Sequence, residues 1–405
     1  MRGFYMAATG LVCGVALAGA AAPARAGTFT VLHEFQGGTG DGASPSGSLI
    51  DAGGTLYGNS FWGGAANCPY GGVGCGTVYS INPATGAETI VHVFTDAVKD
   101  GARPRANLIK VGKKLFGTGD DGAGIGSTVF SVNPMTGAAK VIYLAPSEAG
   151  YPGALSALLN IGGTLYGTSI EGGTSNLGTV FAVNHKTGAE SAVYSFQGGS
   201  DGANPAASLI NVGGLLYGTA EYGGGSTKCD SGCGVVFSVD PATGAEQIVH
   251  AFKGSQHDGS APMANMIEVG GLLYGTTSSG GGHAFGGTVF SLDPTTGKET
   301  IIYAFQGGGD GYRPTGGLID VGGTLYGTTQ YGGGAKACEA GCGTLFAVDL
   351  SSGSETVLHA FQFTDGSVPG SALVDVNGSL YGTAPLGGDT QVYDQGYGTV
   401  FEYTP

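Results

Sequence analysis

The sequence predicts an all-β fold: a seven-bladed β-propeller of four-stranded antiparallel blades, its ring closed by pairing the N-terminal strand with the last blade. Three observations carry this. One signature recurs seven times at intervals of fifty-odd residues, a period that marks propellers and solenoids. Each copy holds four short runs rich in Leu, Val, Ile, Tyr and Phe, separated by turn residues. The last copy lacks its fourth run, and residues 28–35, ahead of the first copy, are just such a run standing alone.

The signature reads GGTLYGNS, KKLFGTGD, GGTLYGTS, GGLLYGTA, GGLLYGTT, GGTLYGTT and NGSLYGTA, with central aromatics at Tyr57, Phe116, Tyr166, Tyr217, Tyr274, Tyr326 and Tyr381. After each comes a second signature of the type GTVFSV, and six copies continue through a turn such as NPATG or DPTTG into an apolar run such as ETIVHVF. The four runs are named A (SLIDA), B (TLYGNS), C (GTVYSI) and D (ETIVHVF). Gly-Gly between A and B, and Asn-Pro or Asp-Pro with Thr-Gly between C and D, predict tight hairpins. The D to A connection is about a dozen residues, as from Phe35 to Ser48, long enough to cross from the outer edge of one sheet to the inner edge of the next. Strand A is therefore expected innermost and D outermost. TFTVLHEF at residues 28–35 is a D strand without its A, B and C, while GTVFEYTP ends the chain after a C strand. Pairing the two covers an otherwise open sheet edge.

Residues 1–26 read as a signal peptide: Arg2, an apolar stretch from Leu11 to Ala22, and Ala24-Arg25-Ala26 before the cut. Cys13 lies inside the apolar stretch, so lipoprotein processing there is not expected. Residues 27–405 then form a single propeller domain, secreted or periplasmic, with no later run long enough to span a bilayer. Loss of Arg2 and Arg25 leaves 13 basic against 30 acidic residues, a net charge of −17 with neutral histidines, which excludes nucleic acid and anionic lipid as partners. Glycine supplies 83 of 405 residues, but at matching positions of a long repeat rather than every third position, so a collagen-like reading fails.

The run of GGTLYGTT, a glycine-rich loop, GTVFSVDP and then TGAE before an aromatic-ended strand resembles the bacterial GloVer tandem-repeat proteins over nearly all of residues 27–405. The resemblance implies an exported propeller and implies no reaction. Many such proteins carry a C-terminal surface anchor; the end at Pro405, without an apolar tail or basic cluster, departs from that pattern.

Functional residues are expected on the face that carries the D to A linkers and the long B to C loops. The linkers repeat Asp-Gly-x-x-Pro at Asp41, Asp100, Asp201, Asp258, Asp310 and Asp365, with Glu148 to Pro152 in the third. A ring of carboxylates could collect a hard cation such as calcium. Repetition favours a turn role instead, with Asp accepting backbone hydrogen bonds and Gly supplying a positive φ. No other cofactor is expected. Six cysteines fall in three local pairs, Cys68 with Cys75, Cys229 with Cys233 and Cys338 with Cys342, and even numbers in close pairs imply disulfides in an oxidising compartment. His33, His92, His250 and His359 share one D-strand position with Tyr143, Tyr194 and Tyr303, which reads as a half-exposed aromatic packing slot. The Gly198-Gly-Ser200-Asp-Gly202 run matches a serine-hydrolase pattern but belongs to a blade linker and needs a strand-to-helix turn that is not there.

Departures from the repeat mark the remaining candidates. Trp62, Tyr222 and Tyr331 are non-repeating aromatics, and Arg103 and Arg313 are linker cations, a set suited to ligand binding. Asp121, Glu171, Glu221, His257 and His283 are the non-repeating groups able to do acid–base work. Lys113 and Lys114 occupy an A to B turn on the opposite face from Arg103 and Arg105, so repeat two offers no single basic patch. The expectation is a monomeric binding or scaffold module for an extracellular glycan or protein. A polysaccharide lyase or glycoside hydrolase, and a structural matrix protein, are the alternatives.

Overall fold

A computed structural model describes residues 27–64, 68, 74–95, 100–120, 126–146, 156–282, 286–388 and 395–405. It contains seven main sheets, each running A-B-C-D from one edge to the other, and no helix among the described residues. The A strands are Gly42–Asp51, Ile109–Val111, Leu159–Ile161, Ile210–Val212, Ile267–Val269, Ile319–Val321 and Val374–Val376. The B strands are Leu56–Gly63, Lys114–Asp120, Thr164–Ser169, Leu215–Ala220, Leu272–Thr277, Thr324–Thr329 and Ser379–Ala384. The C strands are Thr77–Ile81, Gly126–Val132, Thr179–Asn184, Val235–Val239, Thr288–Leu292, Thr344–Asp349 and Thr399–Thr404. Six D strands follow in order, Glu88–Val93, Ala139–Pro146, Glu190–Ser195, Glu246–Ala251, Glu299–Ala304 and Glu355–Ala360, and the seventh is Thr28–Glu34. That strand pairs antiparallel with Thr399–Thr404, from Thr28 opposite Thr404 to Glu34 opposite Thr399. The ring is closed as the split repeat requires.

The two signatures are one packing device. Each B-strand glycine lies under the ring of the aromatic residue on the paired C strand: a Cβ on Gly58 would sit 2.5 Å from the Tyr79 ring, and one on Gly218 would sit 2.6 Å from Phe237. Leu-Tyr-Gly and Val-Phe recur together because a side chain at the glycine would displace the ring. Hydrophobic clusters lie between neighbouring blades; Phe35, Tyr381 and Val400 of blade 7 pack with Leu49, Leu56, Tyr79 and Ile81 of blade 1. In every blade but the second, where Ala145 takes the place, a fully buried phenylalanine ends the D strand and meets the C-strand aromatic of the next blade edge-on, as Phe94 meets Phe130 at 5.0 Å and Phe361 meets Phe401 at 5.3 Å.

Near the axis the blades are stitched by hydrogen bonds. The Thr168 hydroxyl donates to Ala207 O, and the Thr383 hydroxyl of blade 7 donates to Gly47 O of blade 1, spanning 336 residues of sequence. The proline of each described linker packs on the glycine that opens the preceding blade's C strand; a Cβ there would lie 2.4 Å from Pro205 Cδ at Gly178 and 2.5 Å from Pro45 Cδ at Gly398.

The linkers differ from expectation in one respect. A positive φ falls on the Asp-Gly glycine only at Gly101, Gly311 and Gly366, whereas the residue before proline has it in all six described linkers: Ser44, Arg103, Asn204, Ala261, Arg313 and Val368. A residue before proline normally avoids helical conformations, so the strain needs compensation. Each of these N–H groups donates to a carbonyl at the end of the preceding blade's B to C loop, Arg103 to Cys75 O at 2.7 Å and Val368 to Cys342 O at 2.9 Å among them.

Disulfides join Cys68 to Cys75, Cys229 to Cys233 and Cys338 to Cys342. They fit a compartment outside the reducing cytoplasm. No helix among the described residues is long and apolar enough to cross a membrane.

Candidate functional site

The axis opens on the long-loop face into a funnel of about 240 Å³ lined by residues from all seven blades. Ser48, Asn107, Ala157, Ser208, Asn265, Gly317 and Ala372 occupy one equivalent position just before the inner strand and present small, neutral surfaces. Two of them are turned into the ring itself, since Asn107 Oδ1 accepts the Ser48 N–H and Asn265 Oδ1 accepts the Ser208 N–H, both at 2.7 Å. Among the described residues, the one charged side chain lining the funnel is Arg105.

Arg105 also lines an adjoining cleft of about 360 Å³ with Ser46, Phe61, Gln330 and Ser371, at the seam of blades 6, 7, 1 and 2. Its guanidinium lies 4.5 Å from the Phe61 ring centre and pairs with the buried Asp120, Nε to Oδ1 at 3.1 Å and Nη2 to Oδ2 at 3.3 Å. Arg103 approaches the same carboxylate, Nε to Oδ2 at 3.4 Å, and sits 5.8 Å from the Trp62 ring, which meets Phe61 edge-on. Two guanidiniums on one carboxylate leave a net positive charge, held rigidly beside two aromatic faces. Trp62 lines a second hollow of about 200 Å³ with Ser44, Leu386, Gln395 and Tyr397.

Of the ligand candidates, then, the structure brings Trp62 and Arg103 together. Arg313 and Tyr331 form a separate constellation in blade 6, 5.9 Å apart and joined by Tyr312, while Tyr222 is exposed in blade 4. Phe61 and Gln330 were not singled out by sequence, although each takes the place after the Gly-Thr motif of the B strand where the copies disagree most. Glu171 lies beyond the end of its B strand, Glu221 accepts a hydrogen bond from Asn204 Nδ2 at 2.8 Å, and His257 is an exposed linker residue. None of the three lines the funnel or the cleft. Asp121 and His283 lie outside the described residues, as do residues 1–26, expected to be a signal peptide, and Glu148 to Pro152.

A second set of polar groups runs round the rim, at the joints between blades. The linker aspartates accept backbone N–H groups, for example Asp201 from Gln197 and Gly202. The D-strand histidines and tyrosines are more than a packing slot, because their polar ends turn back onto these aspartates. Tyr194 donates to Asp201 at 3.0 Å and Tyr303 to Asp310 at 2.9 Å; His92 lies 2.7 Å from Asp100 and His359 2.9 Å from Asp365. The first residue of the next D strand completes each joint, and at four joints with a described linker aspartate it is a glutamate: Glu88, Glu246, Glu299 and Glu355.

Burial first, and then the charge of Asp201, push Glu246 up to about 7; burial and Asp310 do the same to Glu355. A carboxyl whose pKa is higher folded than unfolded adds stability that is complete below the unfolded value near 4.5 and is lost as pH rises through about 7. Thermal unfolding followed by circular dichroism should therefore show a melting temperature that falls from pH 4.5 to 7. The double variant E246Q/E355Q should flatten that slope; an unchanged slope would show that these two groups do not titrate in the window.

The repeat family described as Gloeobacter/Verrucomicrobia repeat matches residues 22–230 and again 226–405. The chain belongs to that family. No curated protein sequence matches this family member. Among solved structures it is similar to an oligogalacturonate lyase in complex with manganese, at 13% identity over 93% of this chain and 96% of that one, with a TM-score of 0.53. TolB from Acinetobacter baumannii (14% identity, 69% and 58% covered, TM-score 0.42) and a nidogen/laminin complex (14%, 70% and 89%, 0.42) are also similar. At such identity the likeness to the lyase concerns the fold alone.

Proposed function

We propose that this repeat protein is an extracellular glycan-binding module, exported by its N-terminal segment, whose ligand lies in the cleft at the seam of blades 6, 7, 1 and 2. The observation that carries this reading is the Arg105 guanidinium, pinned by Asp120 and stacked on Phe61 at the cleft wall, with Gln330 opposite. A sugar ring offers an apolar face for the aromatic surface and hydroxyl or carboxylate oxygens for guanidinium and amide donors. The cleft, at about 360 Å³, has room for a saccharide unit, and the fixed guanidinium costs little ordering on binding. A lyase or hydrolase would need a base and an acid at this cleft, and the candidates among the described residues, Glu171, Glu221 and His257, stand away from it. No ion is needed for the contacts described.

Retention of the mature protein on a panel of immobilised polysaccharides, with the eluate assayed for released products, tests this reading. Retention without product is expected. F61A and R105A should each weaken it about thirtyfold, the loss of about 2 kcal/mol typical of an aromatic or arginine anchor, with melting temperature monitored to separate binding from folding. Product release, or retention untouched by either substitution in a folded protein, would overturn it.

A further inference from the structure

The seven blade joints form an internal comparison, and two of them differ from the rest. Where the D-strand residue is Tyr194 or Tyr303, its O–H supplies a donor to the linker aspartate. Where it is His92 or His359, the imidazole closes on the aspartate at 2.7 or 2.9 Å, and the glutamate of the next D strand is replaced by Ala139 or Phe29. Among the described residues, only the joints of blades 7–1 and 4–5 combine all three ligand types, as His33, Asp41 and Glu88 and as His250, Asp258 and Glu299. In each trio one side-chain donor atom per residue lies within 4.8 Å of the others. There the histidine stands off from the aspartate, at 3.4 and 3.5 Å.

At the 4–5 joint the orphaned atoms can be named. Gly297 O can only accept, so the 3.3 Å contact to His250 Nδ1 puts a proton on that nitrogen and turns Nε2 toward the carboxylates. Asp258 uses Oδ2 for the Lys253 N–H; its side chain is only 8% exposed, and Oδ1, facing His250, has no hydrogen-bond partner. His250 Nε2 and Glu299 Oε1 are buried and unpartnered as well; the glutamate Oε1 is equally so at Glu88 of the 7–1 joint and at Glu246 and Glu355 of the tyrosine joints, so the histidine and aspartate atoms are what set the 4–5 joint apart. Buried acceptors aimed at one point without a donor are costly unless a positive charge lies between them.

We propose that these two joints each bind a divalent first-row metal ion, Zn2+ foremost, held by one imidazole nitrogen and two carboxylates. One imidazole with two carboxylates suits zinc better than calcium, which prefers oxygen alone. Ligand bonds of about 2.0–2.1 Å in a tetrahedron place donor atoms about 3.4 Å apart, which the His–Asp pairs already meet; the glutamate oxygen, within 4.8 Å of both, has to move closer to close the set. The carbonyl that fixes His250 Nδ1–H is the kind of outer partner that orients a metal-bound imidazole. Each ion would tie a D strand, the following linker and the next D strand, and the 7–1 ion would clamp the N-terminal strand to blade 1. This inference stands apart from the glycan reading and shares no residue with it.

The full mature chain without an affinity tag, stripped by a chelator and dialysed against Zn2+, should retain two equivalents by elemental analysis and melt several degrees higher than the stripped form. His250→Tyr copies the arrangement of Tyr194 and Tyr303 within the same fold and should leave one equivalent; His33→Tyr in addition should leave none and abolish the shift. Glu299→Ala, which copies Ala139, is the second route to the one-equivalent form should the tyrosine disturb folding. Fewer than one equivalent on the wild-type chain, or no loss of metal in a folded His250→Tyr or Glu299→Ala protein, overturns the proposal.

Discussion

Deleting residues 27–35 opens the ring. The segment carries the whole D strand of blade 7, and its loss strips the C strand Thr399–Thr404 of its outer partner and exposes a sheet edge. It also removes Phe35, fully buried and edge-on to Tyr79 at 5.1 Å, and Phe29, stacked on His359 at 3.6 Å. Loss of a buried phenylalanine side chain alone costs about 3–5 kcal/mol, comparable to a third or more of a typical domain's stability. The expected result is a chain that elutes as aggregate or as an expanded species in size-exclusion chromatography and lacks a cooperative melt. Moving the same nine residues to follow Pro405 through a short turn should restore a compact monomer, because Thr404 already lies opposite Thr28. A deletion variant that melts like the intact chain would mean that the ring does not depend on this closure.

Gly343→Ala should be strongly destabilising. Gly343 has φ +101°, and a Cβ there would lie 2.4 Å from Thr329 O and 2.7 Å from Pro369 Cδ. Backbone in that region strains any L-residue by about 1–3 kcal/mol, and overpacking against a rigid carbonyl and a ring adds about 1–3 more. Together these predict about 2–6 kcal/mol, read as a drop in the denaturant midpoint at unchanged slope. The chain contains its own control. Blade 2 has Ser127 at the equivalent position, without a positive φ, and the linker that follows blade 2 is the one that lacks the Asp-Gly-x-x-Pro pattern. Replacing Ser127 by glycine should cost far less than the reverse change at Gly343.

The repeat made the fold legible before any coordinates. Strand order followed from linker length, closure from the split seventh unit, and the cysteine pairs from their spacing, because each depends on local chemistry or chain connectivity. The site was only half legible. Trp62 and Arg103 stood out as departures from consensus, but Phe61 and Gln330 did not, because nothing in a sequence says that position 61 and position 330, five blades apart in chain order, face one cleft. Glu171, Glu221 and His257 stood out equally and do not line that cleft, since irregularity marks a loop as readily as a site.

The joints teach the complementary lesson. Sequence correctly grouped His33, His92, His250 and His359 with three tyrosines, yet read the position as packing, because the partner aspartate lies six to eight residues on and the glutamate lies in the next blade, at a distance set by the ring. The sequence by itself determined that seven units exist, that they are four-stranded, and that the chain's two ends share one blade; periodicity and strand pairing suffice for that. Which loops meet at the funnel, which acceptors are left facing one another at the 7–1 and 4–5 joints, and which residue before proline must take a positive φ were decided only by the closed ring. Closure fixes the distance between groups that the chain separates by a whole blade or more, and that distance is what turns a list of polar residues into a site.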